Sequence, residues 1–135
     1  MSQANVEPFK RAVEAVNRRD IEAMLEEYDP AVEIHPALHV MLGGEATVYR
    51  GHEGVRESLR NADEALDELH YEFSEIRDLG DRLVAIGRVR ARGRKSGAET
   101  ESPLGYVVQF KNGKMARLWS YLDPKEALEA AGVRE

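Results

Sequence analysis

Gly80-Asp81, Ser96-Gly97 and Asn112-Gly113 are three turn signals, each set between β-rich stretches in the second half of a 135-residue chain. The stretches 71–79 and 83–92, one running from Ser96-Gly97 to Phe110, and 115–122 predict four strands in consecutive antiparallel hairpins. The first half has helical spacing instead. Val6, Phe9, Val13 and Val16 form an apolar stripe behind a predicted Asn5 cap, with Pro8 tolerated in the first turn. Asp20 is expected to cap a short helix with the stripe Ile21, Met24, Leu25 and Tyr28. A further stripe, Val55, Leu59, Ala62 and Leu66, follows Gly51. A short strand, 32–35, stops at Pro36. The chain closes on a helix with Asp123 as cap, Pro124 at the first position, Glu126 completing a capping box, and Gly132 at the end. Helices segregated from a run of strands indicate an α+β fold in one domain spanning 1–135.

Composition narrows the function classes. With 25 acidic against 19 basic residues the net charge is -6, so no general nucleic-acid partner is expected. There is no cysteine, which excludes disulfides and thiol nucleophiles. No apolar run approaches the ~18 residues of a membrane span, and the first residues lack a secretory pattern; a soluble cytoplasmic protein is expected. No metal site is expected either. His52-Glu53 lacks a second histidine four residues after the first, and Pro36 breaks any helix that would align His35 with His39. Gly43-Gly44 reads as a loop rather than a phosphate cradle. The alternating cations Arg88, Arg90, Arg92, Arg94 and Lys95 read as a solvated or dimer-facing ladder, partly offset by Glu99 and Glu101.

Pairing across Ser96-Gly97 is expected to set Arg94 against Glu99 and Arg92 against Glu101 on one side of the sheet. The other side then pairs Val89 with Leu104, Gly87 with Tyr106, Ala85 with Val108 and Leu83 with Phe110. This second side is the one expected to lie under the helices, with Gly87 and Ala85 leaving room. Two arrangements of the last hairpin are open. A plain two-residue Asn112-Gly113 turn puts Trp119 and Tyr121 on the Tyr106 side; a three-residue turn with a bulge puts Leu118, Ser120 and Leu122 there.

The segments Ala15-Val16-Asn17-Arg18-Arg19-Asp20, Val32-Glu33-Ile34-His35-Pro36, Tyr49-Arg50-Gly51-His52-Glu53-Gly54-Val55 and Asn112-Gly113-Lys114-Met115-Ala116-Arg117-Leu118, with the ending Tyr121-Leu122-Asp123, together resemble the nuclear-transport-factor-2-like superfamily in its SnoaL-like branch. The resemblance covers nearly the whole chain. It implies a cone-shaped, cystatin-like α+β roll: a curved mixed or antiparallel sheet with helices in its concavity, a pocket between them, and a homodimer through the outer sheet face. It favours the bulged last hairpin, with Trp119 and Tyr121 outside. Relatives include ketosteroid isomerase, limonene-epoxide hydrolase and polyketide cyclases, and a shared fold does not transfer their function.

The resemblance places His35 where the isomerase has its catalytic base, and Tyr106 where the isomerase has a carboxyl group in its oxyanion hole. The isomerase's oxyanion tyrosine falls at Ala12. The hydrolase aspartate of the last strand falls at Ser120, and Arg88-Val89-Arg90 does not supply the hydrolase's Arg and Asp. His35 is thus the candidate general base and Tyr106 the candidate donor to an oxyanion. His35 could equally fix a strand end, and Tyr106 could fill volume above Gly87. Glu33 shares the strand face of His35 and could orient it. Tyr28, Glu33, His39, Tyr49, Gly87, Val89, Leu104, Val108, Leu118, Ser120 and Leu122 are the candidate binding residues. Two functions remain open. One is a cofactor-free isomerase or cyclase that moves a proton next to a carbonyl of an apolar substrate. The other is a non-catalytic ligand-binding or dimerising module. The outer-face residues Val84, Ile86, Val107, Trp119 and Tyr121 are the expected dimer contacts.

Overall fold

The computed structural model describes residues 4–36 and 48–133. In chain order these form α1 (Val6–Asn17), α2 (Ile21–Leu25), β1 (Tyr28–His35), β2 (Tyr49–Arg50), α3 (Gly51–Ala65), β3 (Leu66–Asp78), β4 (Arg82–Gly93), β5 (Glu99–Lys111), β6 (Lys114–Tyr121) and α4 (Pro124–Ala130). The six strands make one curved sheet in the order β2-β1-β6-β5-β4-β3. Only the β1–β6 pairing is parallel, so the sheet is mixed. The fold is α+β, as the segregation of patterns predicts.

Local chemistry explains the element ends. The Asp20 carboxylate accepts the Ala23 N–H at 3.1 Å, and the Asp123 carboxylate accepts the Lys125 N–H at 2.9 Å, so both residues cap their helices, the Asp123 side chain taking Lys125 and not the Glu126 of the expected capping box. Asn5 stands at the N-cap position of α1 as predicted, but its side chain makes no cap hydrogen bond. Its backbone N–H and side-chain amide each donate to the buried Asp78 carboxylate at 3.1 Å, tying the start of α1 to the β3–β4 turn. Two stripes run past their helices: Tyr28 opens β1 and Leu66 opens β3.

The β4–β5 register lies two residues from the expected one. Arg92 opposes Glu99, Arg90 opposes Glu101, Gly87 opposes Leu104, Ala85 opposes Tyr106 and Leu83 opposes Val108. The cause is Arg94. It leaves the ladder and donates to the Asp63, Ala65 and Leu66 carbonyls at the end of α3, at 3.0–3.1 Å. A four-residue loop (94–97) therefore joins the strands, closed by Gly93 N–H to the Ala98 carbonyl at 3.0 Å. Because the shift is even, every residue keeps its expected face.

The last hairpin combines both open arrangements. Lys111 opposes Lys114 and Phe110 opposes Met115 across a two-residue turn, and then β6 gains one residue: Gln109 opposes Arg117 and Tyr106 opposes Ser120. The bulge at Ala116 leaves both Met115 and Leu118 buried on the helix side. Ser120 therefore faces inward and Trp119 outward.

Gly87 does not leave room for a helix. A Cβ there would stand 1.9 Å from the Glu72 carbonyl oxygen, because β3 bulges across it between Phe73 and Glu75. α1, α2 and α3 pack on the inner face around Phe9, Val32, Val55, Leu83 and Val108, each at most 1% exposed. α4 packs on the opposite face, where Gly105 brings the sheet backbone against Ala127. Val84 and Val107, expected on an open dimer face, are buried under α4 of the same chain.

Candidate functional site

Between α1, α2, α3 and the inner face lies a cavity of about 310 Å³. Its walls follow from the periodicities that built the elements. α1 contributes Phe9, Ala12, Val13 and Val16, and α3 contributes Leu59, Ala62 and Ala65. Alternation along β3 turns Leu69, Tyr71 and Phe73 inward, and alternation on β5 turns in Leu104 and Tyr106. The wall is mostly carbon, with a small set of polar groups: the hydroxyls of Tyr28, Tyr49, Ser58, Tyr71, Tyr106 and Ser120 and the amide of Asn61.

Those groups form two clusters. Asn61 donates to the Tyr49 hydroxyl at 3.0 Å, joining α3 to β2. Across the cavity, the hydroxyl of Tyr106 interacts with those of Tyr71 and Ser120. The Tyr106 ring is fixed by aromatic packing, 5.2 Å from Phe73, 6.0 Å from Tyr71 and 6.3 Å from Phe9, centroid to centroid. Burial pushes the Tyr28 and Tyr71 phenols above their ordinary range. Tyr106 is pushed well above it, by burial first and then by Tyr71. All three therefore stay as neutral O–H groups at neutral pH. No carboxylate, imidazole, ammonium or guanidinium lines the cavity among the described residues. Among the described residues, no group of three or more His, Cys, Asp or Glu gathers to hold a metal ion.

The sequence candidates divide accordingly. Tyr28, Tyr49, Leu104, Tyr106, Leu118 and Ser120 all line the cavity. His35 does not. Ile34 faces the cavity, so strand alternation sends His35 to the outer face, where its ring stacks on Trp119 at 5.4 Å and 16°. Its Nε2 lies 3.6 Å from the Glu33 carboxylate, which pairs in turn with Arg50 at 3.0 Å. Glu33 and His35 thus share a face as expected, but it is the outer one. Gly87 is covered by the β3 backbone, Val108 is fully buried in the inner core, and Val89 and Leu122 pack in the cluster around Leu66 and Leu69. These four support the site without lining it. His39 lies outside the described residues.

Tyr71, Phe73 and Asn61 were not among the candidates. The alternation Leu69, Tyr71, Phe73 carried the signal for the first two, but a strand begun at Tyr71 hides it; β3 starts five residues earlier. Asn61 had no signal, since one polar residue on an amphipathic helix reads as solvent-facing.

No helix among the described residues is long and apolar enough to cross a membrane, which does not bear on a strand-built barrel. No curated protein matches the chain. Solved structures do. A protein of unknown function from Burkholderia pseudomallei K96243, described as NTF2-like, is 25% identical over 96% of this chain and 97% of its own, with a TM-score of 0.79. TerC, co-crystallized with polyporic acid, is 24% identical over 94% of this chain and 97% of its own, also at 0.79. A putative SnoaL-like polyketide cyclase from Shewanella denitrificans OS-217 shares the fold at 14% identity, covering 96% and 99%, with a TM-score of 0.74. The family model of the SnoaL-like domain matches residues 9–118, most of the chain, and the protein belongs to that family.

Proposed function

We propose that the protein binds a small, largely apolar molecule bearing a carbonyl or hydroxyl oxygen, one per chain, in the cavity between the helices and the sheet. The observation that carries this reading is the wall itself: apolar side chains around a few convergent neutral hydroxyls, with no charged group among the described lining residues. Such a wall favours burial of hydrocarbon and offers O–H donors to one oxygen. Family membership and the TerC complex with polyporic acid support a ligand of this kind. Native mass spectrometry with 2-acetylnaphthalene tests the reading. One molecule bound per chain is expected, and no adduct at saturating ligand contradicts it.

A second reading adds proton transfer next to the bound carbonyl, as in an isomerase or a cyclase. Tyr106 favours it, since a neutral phenol held by packing is preorganised to receive an enolate oxygen. The base of this reading is not His35, whose ring stacks on the far side of the sheet. Deuterium exchange into the methyl group of 2-acetylnaphthalene, followed by NMR, is expected in wild type and slowed in Tyr106→Phe. Binding without exchange leaves a ligand carrier.

A second copy of the chain is proposed to cover what α4 leaves open on the outer face, around the half-buried Trp119 and Tyr121. Sedimentation velocity distinguishes a wild-type dimer weakened in Trp119→Ser from a monomer, which contradicts the proposal.

A further inference from the structure

We propose that α2 is a latched lid over the cavity. This rests on the cavity being a ligand site. The five residues of α2 place Met24 in the cavity wall, and beside it runs a crevice of about 20 Å³ between the α1–α2 turn and α3. Val16, Met24 and Leu59 line both spaces, so these three side chains separate the cavity from the crevice. Met is unbranched, and its movement would join the two.

Two ion pairs strap this wall to α3. Arg19 pairs with Asp63 at the crevice, and Glu22 on α2 pairs with Arg56 at 3.0 Å. Arg56, Leu59 and Asp63 recur at three and four residues, so one face of α3 carries both straps and the shared partition residue. The other end of α2 is anchored differently. The Glu27 carboxylate accepts two hydrogen bonds from Arg11, at 2.9 and 3.1 Å, and the Glu27 carbonyl accepts the Met115 N–H at 2.9 Å. The Glu27 end is thus joined to α1 and β6, and the start of α2 to α1 through the Asp20 N–H on the Ala15 carbonyl, whereas the contact with α3 runs through pairs whose Asp63 and Glu22 side chains are 51% and 76% exposed. The contact that must open for a lid to move is therefore the exposed one, against α3.

The backbone gives a second, independent sign. Arg19 has φ +63°, the left-handed conformation that ends α1, with Arg19 N–H bonded to the Val16 carbonyl and Asp20 N–H to the Ala15 carbonyl. Glycine is the usual residue at that position. An arginine there accepts backbone strain, and its guanidinium reaches Asp63 across the crevice.

The test uses the neutral fluorescent probe N-phenyl-1-naphthylamine in stopped flow, with amide hydrogen exchange of the α2 peptide measured on the empty protein. In Glu22→Gln/Asp63→Asn, release and association are both expected to rise roughly five- to tenfold at little changed affinity, because two exposed pairs are lost from the closed state. Raised salt is expected to speed the wild type and not the variant. Arg19→Gly is expected to release the probe faster without lowering the melting temperature, since glycine relieves the left-handed strain. Exchange in α2 should accelerate in both variants. Probe binding with unchanged rates and unchanged exchange overturns the lid. Accelerated exchange in a protein that takes up no probe overturns the ligand-site reading and, with it, the lid's role.

Discussion

Tyr106 is positioned before any ligand arrives. Phe9, Phe73 and Tyr71 hold its ring, and Ser120 meets its hydroxyl. Tyr106→Phe keeps that packing and removes one O–H, so the fold should survive. Affinity for an acceptor ligand should then fall about five- to tenfold, the worth of one hydrogen bond. His35 is the contrasting case, with a ring stacked on Trp119 behind the sheet, and His35→Ala should leave ligand affinity unchanged in the same titration. The phenols also set a pH dependence. Tyr28, Tyr71 and Tyr106 are all raised above the ordinary value of 10.0. Below that pH both folded and unfolded chains keep these protons. Above it the unfolded chain releases protons that the folded chain holds, so stability falls as pH rises through and beyond that value. Urea melts from pH 8 to 11 should show this decline, and a shallower one in Tyr106→Phe. Absorbance titration at 295 nm should show three tyrosines ionising late.

At the level of elements, β-bulges decide what faces the cavity. The extra residue at Ala116 brings Leu118 and Ser120 to the inner side after Met115 has already faced it. Deleting Ala116 would turn Trp119 and Tyr121 inward and Ser120 outward, and cooperative thermal unfolding is expected to be lost. The bulge of β3 imposes a similar constraint. Gly87→Ala places a methyl group on the Glu72 carbonyl and should destabilise by about 3 kcal/mol, read from chemical denaturation. Here lies the limit of what the residues alone disclose. The strands, their faces and the caps at Asp20 and Asp123 are legible because alternation and capping are local. The site of the Ala116 bulge and the two-residue shift of β4 against β5 are not. They depend on where the chain is needed by distant partners, as Arg94 is needed by the carbonyls of α3. The outward face of His35 is hidden for a related reason. A position inherited from resemblance names a strand end, whereas the parity of Ile34 decides its face.

For the whole molecule, the consequence is a sheet that works on both sides. Its inner face carries the cavity and α1, α2 and α3, while its outer face carries α4 and the His35–Trp119 stack. A close-packed interior leaves few voids larger than a water molecule. A cavity of about 310 Å³ in a chain of this size is therefore a feature that the fold supports, at the expense of lost dispersion contacts. A ligand that fills it should stabilise the protein in proportion to its occupancy, and thermal melts with 2-acetylnaphthalene should rise with ligand concentration. The most direct measurement compares two molecules of nearly one shape, 2-isopropenylnaphthalene and 2-acetylnaphthalene, by titration against wild type and Tyr106→Phe. Wild type is expected to bind the ketone more tightly than the hydrocarbon, and Tyr106→Phe to lose most of that preference while still binding the hydrocarbon. A preference for the ketone that survives Tyr106→Phe intact, or a wild type that binds neither compound, would contradict that expectation.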